Sequence, residues 1–467
     1  MRKGARHKLP AMEPSFRAPA DRLPARPGIS ERLAAMIRIP TISAEPQEGG
    51  DGPFDGFVQL LTELYPLLHE HLPCERIGEF GLVYSWQPAG DGDADPVVLM
   101  AHYDVVPVAG QESSWEVPPF EGRIVDGEVW GRGALDDKGA LCVLLDAVEN
   151  LLADGWAPPR PVLLCLGPDE EVHGSTGRLI ATELHARGIT PWLVLDEGGA
   201  IVDIPFPGVD GLFAMVGVAE KGVMSVELST VGEGGHASAP DGLTAVGRLA
   251  RAVSRLNRNP FDVQLPRTVS AMLAALAGHA RPRPARLYRL AAKVPWLTAR
   301  LLLVGGSDGA ALVRTSLAPT MLSGGSSANV LPSSATAMLN IRVTVGETTD
   351  SVLARLRQVV ADPEVTVRMV EGDEPTPESS PDNAQFALIR AAVTSGYPGV
   401  ATVPYLTTAA TDGRHWHRFS PAVYRFAPLR MDGGLRAGVH GSDERVAIDS
   451  LVRGERFYRA LLKGLPT

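Results

Sequence analysis

Five side chains that could ligate metal ions stand in the sequence where apolar runs give way to polar residues. They are His102, Asp136, Glu171, Asp196 and His440. Two imidazoles and three carboxylates suit zinc, with cobalt or manganese also possible. A catalytic zinc usually keeps three protein ligands, so five ligands fit two ions that share one bridging carboxylate. Two such ions can activate a water molecule and polarise a carbonyl group.

Some candidate ligands have a second polar residue close by in sequence that could play a different role from metal binding. In the pair Glu170-Glu171 one carboxylate can bind metal while the other takes a proton from the water. His102 and Asp104 point the same way at a strand end, so Asp104 could orient the imidazole. Taken singly, His102 could be a hydrogen-bonded loop histidine, and each acidic pair could be a solvated charge. The five positions together favour a metal site.

The elements expected to carry these residues alternate between strands and helices. Apolar strands are predicted at residues 82–86, 97–101, 162–166 and 192–195, and helices at 141–152 and 175–187. This alternation predicts an α/β fold with a largely parallel sheet. In such sheets function gathers at the carboxyl ends of the strands, where the candidate ligands stand.

A second pattern interrupts the first near Gly217. A β-prone run at 223–231, a helix, a strand at 335–345, a helix at 351–360 and a strand at 365–370 predict a small α+β unit on an antiparallel sheet. The predicted organisation is a disordered lead (1–28), a catalytic domain in two parts (29–217 and 372–467) and an inserted domain (218–371).

Composition sets limits on partners and location. The chain has 467 residues, 45% of them hydrophobic, and a formal net charge of −10. We therefore expect no nucleic-acid partner and no anionic membrane partner. The three cysteines lack paired spacing and suggest reduced core thiols in a cytoplasmic protein. The longest apolar run, residues 294–305, is short and interrupted by Arg300, which predicts a buried helix rather than a membrane span.

Seven motifs, in order along the chain, carry a family resemblance. They are His-Tyr-Asp-Val-Val-Pro (102–107), Gly-Arg-Gly-Ala-Leu-Asp-Asp-Lys-Gly (131–139), Asp-Glu-Glu-Val (169–172), Leu-Asp-Glu-Gly-Gly (195–199), Gly-His-Ala-Ser-Ala-Pro (235–240), Asn-Val-Leu-Pro (329–332) and His-Gly-Ser-Asp-Glu-Arg (440–445). The sequence resembles the dinuclear-zinc metallopeptidase family of aminoacylase, carboxypeptidase S and the desuccinylases. The residues of these motifs are most similar to those of the carboxypeptidase S branch, which includes hydrolases of N-acyl amino acids.

The resemblance implies a zinc-exopeptidase-like catalytic domain and a role for each ligand. Two zinc ions would be bound by His102, Glu171, Asp196 and His440, with Asp136 as the bridge. Asp104 would orient His102, and Glu170 would be the general base. The peptide bond between Asp136 and Asp137 is expected to be cis. Within the pair Asp196-Glu197 either carboxylate could be the ligand, and Asp196 is preferred.

The resemblance also implies that the inserted domain is a lid that supports homodimerisation. His236 would polarise the scissile carbonyl or steady the oxyanion, reaching across from a partner subunit; otherwise it would be a surface residue. Asn329, Arg342 and Arg414 could bind a substrate carboxylate. A structural ion pair is an equal alternative for Arg342.

Two departures from the family pattern bear on the substrate. His173 stands where related sequences usually have glycine, and residues 261–317 have no counterpart in the shortest members. The predicted function is metal-dependent hydrolysis of a peptide or N-acyl amide bond next to a free carboxylate. A dipeptidase is one alternative to an N-acyl-amino-acid hydrolase, and a non-catalytic ligand-binding member is another. The presence of all five ligands, Glu170 and His236 argues against the latter.

Overall fold

The computed structural model describes residues 23–44, 52–88, 90, 94–203, 208–240, 242–304 and 306–467. Most of the predicted disordered lead, residues 1–22, lies outside the described residues. The end of that predicted lead packs on the fold, because Arg26 Nη1 lies 3.5 Å from Asp146 Oδ1.

The helices of the described residues pack on both faces of the central sheet and on one face of the sheet in the insertion. They are α1 Ile29–Ile37, α2 Pro53–Leu64, α3 Pro66–His71, α4 Lys138–Ala153, α5 Thr176–Ala186, α6 Ala245–Arg258, α7 Arg267–Ala277, α8 Pro282–Ala291, α9 Pro295–Val304, α10 Ser307–Val313, α11 Thr349–Val360, α12 Ala384–Gly396, α13 Gly433–Arg436 and α14 Ile448–Lys463.

The strands form a large central sheet, a sheet in the insertion and two small sheets. They are β1 Cys74–Ile77, β2 Gly81–Trp86, β3 Val97–His102, β4 Arg123–Val125, β5 Glu128–Trp130, β6 Val162–Gly167, β7 Leu193–Asp196, β8 Ile201–Asp203, β9 Leu212–Glu220, β10 Gly222–Val231, β11 Gly235–His236, β12 Ser316–Ser323, β13 Val330–Leu331, β14 Ser334–Val343, β15 Val365–Asp373, β16 Ala401–Thr407, β17 Val423–Arg425 and β18 Arg445–Ala447.

The central sheet has the strand order β1-β2-β6-β3-β7-β17-β9-β16, and β8 pairs with β9. Its middle strands β6, β3, β7 and β17 run parallel, as do β9 and β16. β3 and β6 are buried along their whole length, as expected for parallel strands covered on both faces. Val97 and Leu99 face the helical layer that contains α4 and α14, whereas Val98 and Met100 face the layer that contains α5. The α/β prediction is confirmed.

The insertion sheet is antiparallel, in the order β12-β14-β10-β15. Buried and half-buried residues alternate along β10 and β14, so one face packs on α6 and α11. The central strand β9 ends at Glu220 and the insertion strand β10 begins at Gly222, so the chain passes directly from one sheet to the other.

Helices α7 to α10 lie on the central sheet, although they fall within the segment predicted as the inserted domain. Met272 and Leu276 of α7 share a buried cluster with Phe213 of β9 and Val403 of β16. The sequence pattern missed this because the packing partners are more than fifty residues away along the chain.

Helix α9 is mostly exposed, so the prediction of a buried helix at 294–305 is wrong. Trp296 is 65% exposed and Val304 85% exposed, while Thr298 and Ala299 are buried. Composition alone suggested burial, but the small residues face inward. In the described part of the chain no helix is both long and apolar enough to cross a bilayer. Cys142 and Cys165 are buried free thiols, whereas Cys74 is free but exposed, contrary to the prediction for a core thiol.

Candidate metal centre

The candidate ligands meet at the carboxyl edge of the central sheet. His102 ends β3 and lies opposite Gly167, the last residue of β6, in the parallel register. A short 3-10 turn, Glu170–Val172, follows β6. Asp196 ends the next strand, β7. Side chains on neighbouring parallel strands therefore converge on one edge, as the sequence predicted.

His102 is held between two carboxylates. Its Nδ1 lies 3.2 Å from Asp104 Oδ1, and its Nε2 lies 3.1 Å from Asp136 Oδ1. The imidazole is almost fully buried and Asp104 is fully buried. A metal-ligating histidine typically presents one ring nitrogen to the metal and the other to a carboxylate. The arrangement of Asp104, His102 and Asp136 has this form.

The two oxygens of Asp136 face two different histidines. Asp136 Oδ2 lies 3.2 Å from His440 Nε2, which is also 3.1 Å from Glu171 Oε2. Ligand atoms of a tetrahedral zinc lie about 3.3 Å apart when each bond is about 2.0–2.1 Å. His102, Asp136 and Glu171 each offer a donor atom within 4.8 Å of the others. The donor set therefore fits divalent metal, with Asp136 placed between two positions.

Orphaned oxygens point to the same conclusion. Oε1 of Glu170 and Oε1 of Glu171 are buried and have no hydrogen-bond partner among the described residues. A buried carboxylate oxygen without a donor is costly, and a bound cation removes that cost.

The acidic and histidine side chains of the site shift one another's pKa values. Burial raises the pKa of Glu170 well above its usual value, and the negative charges of Asp412 and Asp136 add to this effect. Hydrogen bonding to Asp136 and Glu171 raises the pKa of His440 to about 10. A cluster with so many carboxylates favours positive charge, whether as a proton or as metal.

Asp104 has a second task that the sequence did not reveal. Its carboxylate accepts hydrogen bonds from the backbone N–H groups of Glu170, at 3.2 Å, and Glu171, at 3.0 Å. Ser43 Oγ donates to the same carboxylate at 2.6 Å. One buried side chain therefore positions His102 and the turn that carries both glutamates.

A buried ion pair between Arg132 and Glu444 joins the turn of Asp136 to the segment of His440. Glu444 Oε2 accepts from Arg132 Nη1 at 2.8 Å, and Glu444 Oε1 accepts from the N–H of Asp136 at 3.1 Å. Arg132 Nη2 donates to the carbonyl of Gly441 at 2.7 Å. The sequence analysis did not assign these two residues, although both stand within the family motifs, where their proximity could have been suspected.

Asp196 and Glu197 both border the centre. Asp196 lines a small cavity with His102 and Glu170, and its Oδ2 accepts from the N–H of Gly413 at 2.6 Å. Burial raises the pKa of Glu197 well above its usual value, with the charges of Asp136, Asp196 and Glu170 adding to the effect. The Asp136–Asp137 peptide bond is cis, as the resemblance implied.

Both predicted substrate-binding arginines, Arg342 and Arg414, lie near enough to Glu170 for their charges to interact with it. Arg414 is held by Asp373 Oδ2, at 3.2 Å from its Nε, and by the carbonyl of Thr411. Arg342 Nη1 is buried and has no hydrogen-bond partner among the described residues. Burial lowers the pKa of Arg342, the charge of Arg414 lowers it further, and Glu170 and Glu220 oppose this. The two positive charges therefore act on the predicted base and on each other.

His236 and Asn329 lie away from this cluster, on the short ribbon of β11 and β13. Both residues are exposed. His236 Nδ1 lies 2.6 Å from Ser238 Oγ, and Ser327 Oγ donates to Asn329 Oδ1 at 2.6 Å. The N–H of Ala237 donates to the carbonyl of Asn329, which ties the two predicted residues together.

Comparisons with known proteins show what the whole chain is similar to. The chain is 34% identical over 445 residues to a probable carboxypeptidase S-like 2 of Dictyostelium discoideum, covering 93% of this chain and 84% of that protein. It is 33% identical over 459 residues to the N-fatty-acyl-amino acid synthase/hydrolase PM20D1.1 of Danio rerio, covering 95% and 87%.

A similar fold occurs in the crystal structure of an M20 family metallo-carboxypeptidase, Sso-CP2, from Sulfolobus solfataricus. The TM-score is 0.68 at 18% identity, covering 94% of this chain and 99% of that one. Residues 98–464 match the family described as peptidase family M20/M25/M40. With a site fit for divalent metal at the edge of its central sheet, this chain belongs to that family of metallo-hydrolases.

Proposed function

We propose that this enzyme hydrolyses the amide bond of N-acyl amino acids, with the free carboxylate of the amino acid bound by Arg342 and Arg414. The observation that carries the proposal is that Arg342 Nη1 is buried without a hydrogen-bond partner among the described residues, in an arginine whose charge interacts with that of Glu170. An arginine with an unmet donor near the base is suited to a substrate carboxylate. The relative named as an N-fatty-acyl-amino acid synthase/hydrolase supports this substrate class.

Two divalent metal ions, zinc by preference, are proposed as the cofactor. Asp136 would bridge, with His102 on one side and with Glu171 and His440 on the other. The opposed oxygens of Asp136 support this assignment. Bound there, the ions would supply Lewis acidity toward a carbonyl oxygen and would make a nearby water molecule more acidic.

The fifth ligand is proposed to be Asp196, as preferred from the sequence, and Glu197 stays the alternative. Asp196 ends β7 and lines the cavity that His102 and Glu170 also line. The backbone N–H groups of Gly413 and Glu197 hold its carboxylate in place. Loss of metal from Asp196→Asn but not from Glu197→Gln would support the proposal, and the reverse result would assign the ligand to Glu197.

Glu170 is proposed as the proton shuttle. It accepts a proton from the attacking water while the water oxygen forms a bond to the amide carbon. It then gives that proton to the amide nitrogen as the carbon–nitrogen bond breaks, so the products are a carboxylic acid and an amine. The backbone N–H of Glu170 donates a hydrogen bond to Asp104 Oδ1, which fixes the backbone that carries this buried side chain.

A homodimer through the inserted domain is proposed to complete the site. β12 is an edge strand of the insertion sheet, and its Met321 and Leu322 are exposed. Exposed edge strands and apolar side chains are typical of surfaces that pair with another chain. His236 makes no contact with the predicted ligands in the described chain, which fits a residue that acts on a partner's site.

The substrate proposal can be tested with two matched substrates. An N-acyl amino acid and its carboxamide analogue differ only in the charged group that Arg342 would bind. We expect the metal-loaded enzyme to prefer the free acid, and Arg342→Gln to lower kcat/KM for the acid by about tenfold to a hundredfold with little effect on the carboxamide.

Arg368→Gln serves as the control, because Arg368 is an exposed arginine on the insertion sheet that pairs with Glu227. Faster hydrolysis of unmodified dipeptides than of N-acyl amino acids would favour the dipeptidase alternative. No hydrolysis of either class by metal-loaded enzyme would favour a binding protein.

A further inference from the structure

Helices α8 and α9 expose an unusual amount of apolar surface. Six large apolar side chains on these helices are exposed: Leu287, Leu290, Trp296, Leu297, Leu301 and Val304. Single exposed apolar residues are common, but a group of this size on adjoining helices usually marks an interaction surface. We call these side chains and the basic residues between them the α8–α9 surface.

Several large apolar residues of α9 point away from the protein. Leu297, Leu301 and Val304 are spaced four and three residues apart, which places them on one face of the helix. Thr298 and Ala299 occupy the buried face, and Leu302 packs partly against the same core. Helices of soluble proteins normally show the opposite arrangement, with the large apolar residues inward.

Basic residues accompany the apolar ones. Residues 281–304 contain six Arg or Lys and no Asp or Glu, although the whole chain has a net charge of −10. Arg283, Arg286, Arg289, Lys293 and Arg300 are all exposed. Arg281 is paired with Asp210, but none of these five has a carboxylate partner among the described residues.

Helices α8 and α9 are packed against the central sheet. Tyr288 and Ala299 share a buried cluster with Phe213 and Met215 of the central sheet. Thr298 Oγ donates to the carbonyl of Ala291 at 2.7 Å, which connects α9 to α8. The outward side chains are therefore presented on helices that the catalytic sheet supports.

We propose that the α8–α9 surface docks on the surface of an anionic lipid bilayer. Apolar side chains that include a tryptophan, interspersed with Arg and Lys, are the chemistry by which helices lie in the interface of a membrane with negative headgroups. A second copy of the chain is a poorer occupant, because a symmetric contact would bring two uncompensated positive surfaces together. The sequence-based expectation of no anionic membrane partner rested on the net charge of the whole chain. That net charge is negative, whereas the α8–α9 surface is positively charged.

Vesicle binding by the metal-loaded enzyme tests the proposal without reference to its activity. We expect the protein to co-sediment with vesicles of phosphatidylcholine mixed with phosphatidylglycerol. It should bind poorly to phosphatidylcholine alone, and binding should fall as salt is raised, because headgroup attraction is screened.

Two double variants separate the contributions. Leu297→Glu with Leu301→Glu removes the apolar contact, and Arg286→Glu with Arg289→Glu reverses the charge. Each should weaken binding to the mixed vesicles by about tenfold or more. The control is Ile124→Glu with Val125→Glu, a pair of exposed apolar residues on β4, and it should bind like the wild type.

Failure of the wild type to bind mixed vesicles at low salt would overturn the proposal. Equal binding by the wild type and both α8–α9 variants would also overturn it. A dimer that dissociates on Leu297→Glu with Leu301→Glu, without any vesicle binding, would assign the surface to self-association instead.

Discussion

At the scale of single residues, the neighbours Glu170 and Glu171 have different surroundings. Glu171 Oε2 lies 3.1 Å from His440 Nε2, another candidate ligand, whereas Glu170 lines the cavity beside His102. We expect Glu170→Gln to keep its metal and to lose about 10²–10⁴-fold in kcat, because the amide cannot accept the proton of the water. Metal analysis and kcat measured on the same samples check this.

Glu171→Gln is the matched control. It should lose metal as well as rate, because an amide is a poorer ligand than a carboxylate. The opposite pattern, with metal lost from Glu170→Gln and kept by Glu171→Gln, would exchange the two roles.

His173 departs from the family pattern in a place that the structure explains. Its φ is 53°, a left-handed conformation that glycine adopts without strain. Burial and the positive charges of Arg414 and Arg342 lower its pKa, which favours the neutral imidazole at neutral pH. We expect His173→Gly to change the relative kcat/KM for amino acids of different size several-fold, while the free energy of unfolding changes by less than about 1 kcal/mol. Unchanged selectivity over a substrate series would show that His173 does not shape the site.

The clustering of His102, Asp136, Glu171 and His440 could be predicted because each follows an apolar strand or stands in a recognisable motif. Asp104 could be predicted as the partner of His102 from strand alternation alone. Two other contacts could not be predicted, because they join segments far apart in sequence. They are the hydrogen bonds that Asp104 accepts from the N–H groups of Glu170 and Glu171, and the ion pair between Arg132 and Glu444.

At the scale of elements, the ribbon of β11 and β13 carries His236 on an exposed face. If it closes on a partner's site, His236→Ala should lower kcat by about 10²–10³-fold, the usual cost of losing an oxyanion donor, with metal content unchanged. A mixture of His236→Ala and Glu170→Gln chains should then regain about a quarter of wild-type activity, since half of the dimers carry one intact site. Unaltered turnover in His236→Ala would make the residue a surface histidine.

The insertion sheet was predictable from its alternating pattern, because β10 and β14 bury every second residue. The placement of α7 to α10 was not. Their apolar residues have helical spacing, but such spacing does not reveal whether a helix packs on the central sheet or on the insertion. In α9, moreover, Leu297, Leu301 and Val304 face outward.

At the scale of the whole molecule, two histidines that stay neutral when buried make stability depend on pH. Burial lowers the pKa of His417 to about 2 and that of His415 to about 3. His417 Nε2 lies 3.1 Å from Arg425 Nη1, which can only donate, so that nitrogen must accept. The unfolded chain binds protons at both residues below pH 6.5 while the folded chain does not, so stability is complete above pH 6.5 and declines as the pH falls.

We expect His417→Gln to reduce this decline by up to about 1.4 kcal/mol per pH unit between pH 6.5 and 4, because glutamine can accept the bond but does not titrate. Urea unfolding of metal-free wild type and variant at several pH values checks this, since the titration of the metal-binding groups cancels in the difference. Parallel pH profiles for the two proteins would show that His417 does not contribute.

The overall class of the fold was predictable from the order of strands and helices, but the approach of distant parts was not. Arg342 comes from the insertion and Arg414 from the second catalytic segment, and the charges of both act on Glu170 from the first. The proposed substrate-binding pair therefore depends on how the two sheets are joined at Glu220 and Gly222.

The central claim is that one chain holds two divalent ions between His102, Asp136, Glu171, His440 and a fifth carboxylate. Metal analysis of purified protein supplied with zinc tests it most directly. We expect about two ions per chain, with His440→Ala holding clearly less and losing activity in proportion. A wild-type content that stays below one ion per chain under zinc supplementation would contradict the dinuclear centre.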